Sequence, residues 1–218
     1  MKILAVEFSS PQRSAALIED DGVSPPVLAG RAAETSGRRA LGLVQEALQQ
    51  AGWQRRQIQT VAVGLGPGSY TGIRGAIALA QGWQLGRGVN LLGIGSVECL
   101  AAQAETEQLF GPLHIVIDAQ RNEFYLALYE IAPRQCRLVE PLRLAAFAEI
   151  QRLVLSGARI IGPEAAQWFP QSATVFPDAA ALARLACGRR DYVPGEKLEP
   201  IYLRQTNFKK APPLRVVT

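Results

Sequence analysis

An internal repeat constrains the fold of this 218-residue chain more than any other feature of its sequence. The opening run "ILAVEF" contains Glu7 and is followed by a polar turn and a second apolar run, "SAALIE". The stretch "LHIVIDAQRNEFYLALYEI" repeats this order, with Asp118 in the place of Glu7. Short apolar runs separated by turn residues are typical of β-strands. Each half of the chain is therefore predicted to begin with paired strands that lead to an acidic side chain.

The rest of each half alternates strands and helices. In the first half, strands are predicted at 27–33, 60–65 and 90–95, and helices at 35–52 and 71–87. The second half adds predicted helices at 96–109, 145–155 and 178–188, and strands at 136–139 and 158–162.

This alternation predicts an α/β protein of two similar lobes. The layout is that of actin-like and sugar-kinase-like proteins, in which each lobe is a ribonuclease-H-like unit and a nucleotide lies between the lobes. We therefore expect two tandem ribonuclease-H-like lobes, the actin-like ATPase (ASKHA) fold. The predicted boundaries are 1–97 for the first lobe, 98–203 for the second and 204–218 for a tail that we expect to be mobile.

Composition excludes several classes of site. Hydrophobic residues make up 48% of the chain and charged residues 19%, which is enough for a buried core. His114 is the one histidine, so a paired-histidine metal site is excluded and His114 is expected to be structural. Cys99, Cys136 and Cys187 have no metal or disulfide spacing. No apolar run approaches about 18 residues, so we expect a cytoplasmic protein without a membrane segment.

The stretch "GLGPGSYTGIRG" at 64–75 has the glycine content of a phosphate-binding loop but not its pattern. A Walker loop needs a lysine, and none occurs between Lys2 and Lys197. A dinucleotide fingerprint needs G-x-G-x-x-G, and this stretch has G-x-G-x-x-T. Ser69 as a nucleophile would lack an evident base. The motif therefore indicates a structural role.

A turn at Pro67 and Gly68, followed by a helix capped by Ser69 or Thr71, explains the stretch better. The helix "TGIRGAIALAQGWQLG" contains several glycines, each of which costs about 1 kcal/mol relative to alanine. Close approach of another helix would offset that cost. Composition alone favours neither a partner subunit nor the interior of the lobe as the place of that contact.

These residues resemble a known family. The glycine stretch with its helix, "GLGPGSYTGIRGAIALAQG", is similar to the signature of the bacterial TsaB (YeaZ) proteins. Supporting segments along nearly the whole chain are "MKILAVEFSS", "RRALGLVQEALQQAG", "LLGIGSVECLA", "IDAQRNEFYLALY", "PDAAALARLA" and "PIYLR".

The resemblance implies a non-catalytic subunit of the machinery that makes threonylcarbamoyladenosine in tRNA. In that family the nucleotide and metal site belongs to the catalytic paralogue TsaD, to which TsaB binds as a heterodimer. A small ATPase, TsaE, joins the pair, tRNA is bound by the complex, and TsaB alone often forms a homodimer. The resemblance thus implies no catalytic residue, no cofactor and no metal in this chain.

The implied partner contacts lie at about 36–51 and 71–86. The candidate residues are Arg38, Arg39, Leu43, Gly72, Arg74, Gly75, Ile77, Ala78 and Gln81. The chain departs from the family in two places. Glu7 stands where the first strand commonly ends in Asp, and Ser36-Gly37-Arg38 stands where the family often has His-Ser-Glu.

Two other functions fit parts of the sequence. A weak ATPase or a hydrolase of the glycoprotease type would need Glu7 and Asp118 to face one cleft, with one of them as the base. Direct tRNA binding would use arginine pairs such as Arg189-Arg190 and the tail at 204–218, and it would weaken steeply with salt.

Overall fold

The computed structural model of the chain describes residues 1–35 and 40–203, which form two five-stranded sheets and the helices around them. The first sheet contains β1 (Lys2–Glu7), β2 (Gln12–Glu19), β3 (Val27–Thr35), β4 (Thr60–Gly64) and β5 (Asn90–Ile94). The second contains β6 (Gly111–Asp118), β7 (Glu123–Ala132), β8 (Gln135–Ala146), β9 (Ile160–Gly162) and β10 (Ala173–Thr174). The helices of the described part are α1 (Ala40–Ala51), α2 (Tyr70–Arg87), α3 (Ser96–Thr106), α4 (Phe147–Leu155), α5 (Ala165–Trp168) and α6 (Ala179–Ala186). None of these helices is long and apolar enough to cross a membrane.

The two sheets have the same topology. The first has the strand order β3-β2-β1-β4-β5, and the second has the corresponding order β8-β7-β6-β9-β10. In each sheet the first three strands are antiparallel, and the last two run parallel to the first. The predicted repeat is therefore a repeat of structure, and the expected α/β fold of two tandem ribonuclease-H-like lobes is confirmed.

Most element positions agree with the sequence pattern, and the differences have local causes. The helix predicted at 96–109 ends at Thr106, because Gln108 has a left-handed φ of 59°. The strand predicted at 136–139 extends over Gln135–Ala146, since it pairs along nearly all of β7. The helix α5 and the strand β10 were not predicted, because four and two residues are too short to show a period.

The layers of the molecule alternate helices and sheets. On the outer side of the first sheet α1 and α2 pack on an apolar face that includes Leu4, Leu17 and Val63. On the outer side of the second sheet lie α4 and α5. The remaining two helices, α3 and α6, lie between the sheets and contact each other.

Each of the two central helices packs on the sheet that it does not follow in the chain, an arrangement that we call the helix exchange. α3 follows the first sheet in the chain, but it buries Leu100 and Ala104 against β6 and β7 of the second sheet. α6 follows the second sheet and packs on the first, beside Ile3 and Ile18. Five of its six buried residues are alanines. Such small side chains let the helix lie close to the sheet and to α3 at the same time.

The N-terminus of α6 is held by bonds from three other elements. The Oδ1 of Asp178 accepts the Ala180 N–H at 2.8 Å and so caps the helix. The Arg31 guanidinium from β3 pairs with the same carboxylate at 2.5 Å. Gln103 of α3 accepts the Asp178 N–H at 2.9 Å, and the buried Oγ of Ser14 accepts the Ala179 N–H at 2.8 Å.

The predicted boundary between the lobes at residue 97 stays a prediction. The segment that follows α6 also lies on the first lobe, where the Val193 N–H bonds the Leu91 carbonyl and the Ile201 N–H bonds the Leu65 carbonyl. The predicted tail at 204–218 lies outside the described residues.

Asp178→Ala is expected to lower the free energy of unfolding by about 2 to 3 kcal/mol, because it removes a helix cap and an ion-pair partner together. Arg31→Ala keeps the cap and removes a side chain that is 41% exposed, so its expected cost is about 1 kcal/mol or less. Urea unfolding followed by circular dichroism measures both. Equal losses for the two variants would contradict the assignment of the cap.

Candidate docking surface and interlobe cleft

The glycine stretch forms the start of α2, which packs against the turn between β1 and β2. The Ser69 N–H donates to the Ser9 carbonyl at 2.6 Å, and the Ser69 Oγ accepts the Gly72 N–H at 3.3 Å. A side chain on Gly68 or Gly72 would overlap the carbonyl oxygens of Ser9 and Phe8. This half of the motif therefore serves close packing inside the chain, and the predicted Ser69 cap is confirmed.

The rest of α2 presents small residues to the outside. Gly75, Gly82 and Gly86 have open space where a side chain would be. Ala78 is exposed on the same helix, and the side chain of Leu85 is 91% exposed. We call these five residues with Arg74 and Gln81 the docking face of α2. It is a flat helix surface with one large apolar side chain near its C-terminal end.

The nine predicted contact residues are distributed over three environments. Arg74, Gly75, Ala78 and Gln81 lie on the docking face, where the Gln81 amide also donates to the Gly195 carbonyl at 2.8 Å. Leu43, Gly72 and Ile77 are buried in the core of this chain instead. Arg38 and Arg39 lie outside the described residues.

The burial of Leu43 and Ile77 follows from the helical period. Ile73, Ala76, Ile77 and Ala80 recur at spacings of three and four and turn together toward the first sheet. Leu43 does the same on α1.

A cleft of about 580 Å³ separates the lobes beside the glycine stretch. From the first lobe it is lined by the β1–β2 turn, Arg13 of β2 and the start of α2. From the second lobe it is lined by the end of β6 with Asp118, by Tyr125 and by Glu164. The single histidine is not part of it, since His114 lies near the middle of β6 with its Nδ1 buried.

Glu7 and Asp118 both end the first strand of their sheets, as the repeat predicts, but they differ in surroundings. Glu7 is fully buried, and its carboxylate accepts the Ser9 N–H at 2.8 Å and the Ser96 hydroxyl at 2.9 Å. Burial raises the pKa of Glu7 above its ordinary value. Asp118 lines the cleft and accepts the Gln120 N–H at 2.7 Å.

Glu164 is the second carboxylate of the cleft, and no sequence pattern indicated it. Its Oε2 is buried, and no described group donates a hydrogen bond to it. Burial raises the pKa of Glu164; hydrogen bonding with the Asp118 backbone lowers it, and the negative charge of Asp118 raises it.

The cleft does not fit a metal-bound nucleotide of the kind that the fold family implies. Glu7 is placed where a carboxylate would face such a metal, but both of its oxygens are used inside the chain. Two carboxylates line the cleft, Asp118 and Glu164, and they would repel phosphate, with Arg13 as the one cation among the described lining residues. No group of three or more metal-ligating side chains occurs in the described parts of the chain.

Comparison with known proteins identifies the family. A family model described as "TsaD: tRNA N6-adenosine threonylcarbamoyltransferase" matches residues 5–185. The TsaB protein of Escherichia coli, named for tRNA threonylcarbamoyladenosine biosynthesis, is 28% identical over 230 residues, which cover 97% of this chain and 99% of that protein. The chain belongs to the TsaD family and to its TsaB (YeaZ) branch.

Solved structures of TsaB relatives have the same fold. YeaZ from Pseudomonas aeruginosa is 26% identical and superimposes with a TM-score of 0.75, over 93% of this chain and 99% of that one. A protein described as uncharacterized, with similarity to peptidase YEAZ from Pseudomonas aeruginosa, matches with a TM-score of 0.76 at 24% identity and the same coverage. The resemblance to TsaB inferred from the sequence motifs is confirmed.

Glu7→Gln is expected to remove a pH dependence of stability from this TsaB-family chain. Because burial raises the pKa of Glu7 in the folded state above the ordinary 4.5, the unfolded chain loses this proton first as the pH rises. Stability contributed by Glu7 therefore falls between pH 4.5 and its folded pKa, whereas glutamine stays neutral.

The measurement is the free energy of unfolding of both proteins by urea titration at intervals from pH 4.5 to 8. The difference, variant minus parent, should grow by about 1.4 kcal/mol per pH unit inside that window and then level off. A difference that is constant or shrinks with pH would contradict the assignment.

Proposed function

We propose that the chain is the non-catalytic subunit that binds and activates a TsaD-type threonylcarbamoyltransferase, in the threonylcarbamoyladenosine modification of tRNA next to the anticodon. Membership in the TsaB branch supports the pathway. The open face of α2 is the observation that supports binding to another polypeptide. The proposal includes a TsaE-like ATPase that joins the pair, tRNA bound through the complex, and a homodimer when the partner is absent.

The glycines of α2 carry the argument for a docking role. An exposed glycine inside a helix costs about 1 kcal/mol relative to alanine. Gly72 offsets this cost by close packing on Phe8. Gly75, Gly82 and Gly86 have no such contact within the described chain. A second helix that approaches this face closely would supply the missing contact.

The exposed leucines favour an apolar partner. Leu85 on α2 is 91% exposed and Leu41 on α1 is 68% exposed, and both helices lie on the outer side of the first sheet. Large exposed apolar side chains beside a flat small-residue face are typical of protein interfaces. The proposed contact surface is therefore the docking face of α2, and Arg38 and Arg39 stay predicted contributors.

The surroundings of Glu7 support a non-catalytic role. A general base has to reach the substrate. Glu7 is fully buried and both of its oxygens accept hydrogen bonds from within the chain. Its carboxylate instead links the end of β1 to Ser96 at the start of α3, which is a structural role.

Ala78→Trp is expected to weaken binding of the TsaD-type partner at least about a hundredfold, because the indole would hold the partner helix away from the docking face. The fold should be unaffected, since Ala78 is exposed. Gly75→Trp, where a side chain meets open space, should act in the same way. Ala148→Trp is the matched control, an exposed alanine on α4 of the other lobe. Isothermal titration calorimetry measures all three, and partner binding by Ala78→Trp at the parent affinity would show that the proposed face is wrong.

The interlobe cleft keeps a second candidate function open, a weak ATPase or a hydrolase. Its support is the pair of carboxylates at Asp118 and Glu164, one of which has a raised pKa as a general acid requires. Under the main proposal the purified chain turns over no ATP by itself. ATP hydrolysis by the chain alone, lost on Asp118→Asn or Glu164→Gln, would favour this alternative instead.

A further inference from the structure

Three exposed side chains form a cluster at the N-terminal end of the docking face. The rings of Tyr70 and Tyr202 stack with centroids 5.7 Å apart and planes inclined by 24°. The Arg74 guanidinium lies 4.1 Å from the Tyr70 ring centroid and 5.9 Å from that of Tyr202. Its Nε also donates to the Tyr202 hydroxyl at 3.3 Å. We call these three residues the aromatic corner.

The aromatic corner stays at the surface although its members are large. Tyr70 is 55% exposed and Tyr202 is 39% exposed. Leu203, the next residue, is 40% exposed. Arginine and tyrosine are, with tryptophan, the residue types most enriched among side chains that dominate binding energy at protein interfaces.

The backbone that carries Tyr202 is fixed to the first lobe. The Ile201 N–H donates to the Leu65 carbonyl at 2.9 Å. Further back, the Gly195 N–H donates to the Gln84 side chain of α2 at 2.8 Å. The segment after α6 therefore delivers Tyr202 to the start of α2 in a set position, and the rings are ordered before any partner arrives.

The positive charge of Arg74 has no carboxylate partner among the described residues. Among the described residues it makes no ion pair, and its partners there are the two rings and a phenolic hydroxyl. A guanidinium beside an aromatic ring still has N–H groups that can donate to a carboxylate. The corner thus offers a cation whose orientation is already set.

We propose that the aromatic corner is the energetic centre of the docking face, where the catalytic partner presents a carboxylate to Arg74 and apolar side chains to Tyr70 and Tyr202. This inference rests on the proposed function, because it takes the same partner. It adds the segment that follows α6 to a surface otherwise made of α2. The ordering of the three side chains within this chain lowers the entropy that binding must overcome.

The cluster favours a protein partner over a nucleobase. A base binds by stacking on a free aromatic face. In the aromatic corner Tyr70 and Tyr202 stack on each other, and the Arg74 guanidinium lies over both rings. The guanidinium N–H groups, which no carboxylate of the described residues pairs with, suit a carboxylate with apolar neighbours.

The test is the affinity of the full chain for its TsaD-type partner, measured by isothermal titration calorimetry. Arg74→Ala and Tyr202→Ala should each raise Kd at least about tenfold. Tyr202→Phe keeps the ring and should change Kd less than about threefold. Because the corner acts as a unit, the double variant should be hardly weaker than either single one. Leu155→Ala is the control, an exposed apolar side chain on α4 of the other lobe.

A salt series separates the ion pair from general packing. Raising the ionic strength should weaken partner binding by the parent chain more than by Arg74→Ala. Salt screens the ion pair between Arg74 and the partner's carboxylate, and the variant lacks this pair. Arg74→Lys keeps the charge but loses the planar guanidinium. The salt dependence of its binding should lie between those of the parent chain and of Arg74→Ala. An identical salt response in parent and Arg74→Ala would overturn the assigned carboxylate.

The possible failures are distinguishable. If Tyr202→Ala and Arg74→Ala bind with the parent affinity while Ala78→Trp does not bind, the aromatic corner is wrong and the proposed function stands. If Ala78→Trp also binds normally, the docking face itself is wrong. Analytical ultracentrifugation of the chain alone tests the other possible occupant of the surface, a second copy of this chain. A Tyr202→Ala variant that dissociates a homodimer yet binds the catalytic partner normally would assign the corner to self-association and overturn the inference.

Discussion

The layer of α3 and α6 between the two sheets determines the arrangement of the rest of the chain. Each sheet buries its inner face against a helix that follows the other sheet in the chain. The two helices also contact each other, which requires small residues, and α6 meets this requirement with alanines. Because the inner faces are closed in this way, α1 and α2 are confined to the outer side of the first sheet, where α2 is free to present its glycines.

One glycine-rich segment performs two kinds of packing. Its first half uses Gly68 and Gly72 to lie against the carbonyl groups of the β1–β2 turn, which fixes the start of α2. Its second half places Gly75 and Ala78 toward solvent. The sequence pattern left interior and partner packing undecided. The structure assigns the interior role to the first half, and the exposed second half is the basis of the proposed interface.

Local patterns predicted most strands, most helices and the Ser69 cap, since these depend on neighbours a few residues apart. They could not predict the helix exchange, because the bond between Ser14 and Ala179 joins residues 165 positions apart. The stack of Tyr70 on Tyr202 escaped prediction for the same reason. Helical spacing showed that Leu43 and Ile77 share faces with other apolar residues, but not that those faces turn inward. The burial of Glu7 was likewise unpredictable, because it depends on Ser96 in a distant helix.

The exchange of α3 and α6 has a consequence for biosynthesis. A nascent chain that has emerged as far as β5 has all five strands of its first sheet, yet Ile3, Ile18 and Leu92 on the inner face still lack the helix that covers them. That helix is translated only after the whole second sheet. Almost the entire polypeptide must therefore emerge from the ribosome before the first sheet can close its core, although its strands are translated first.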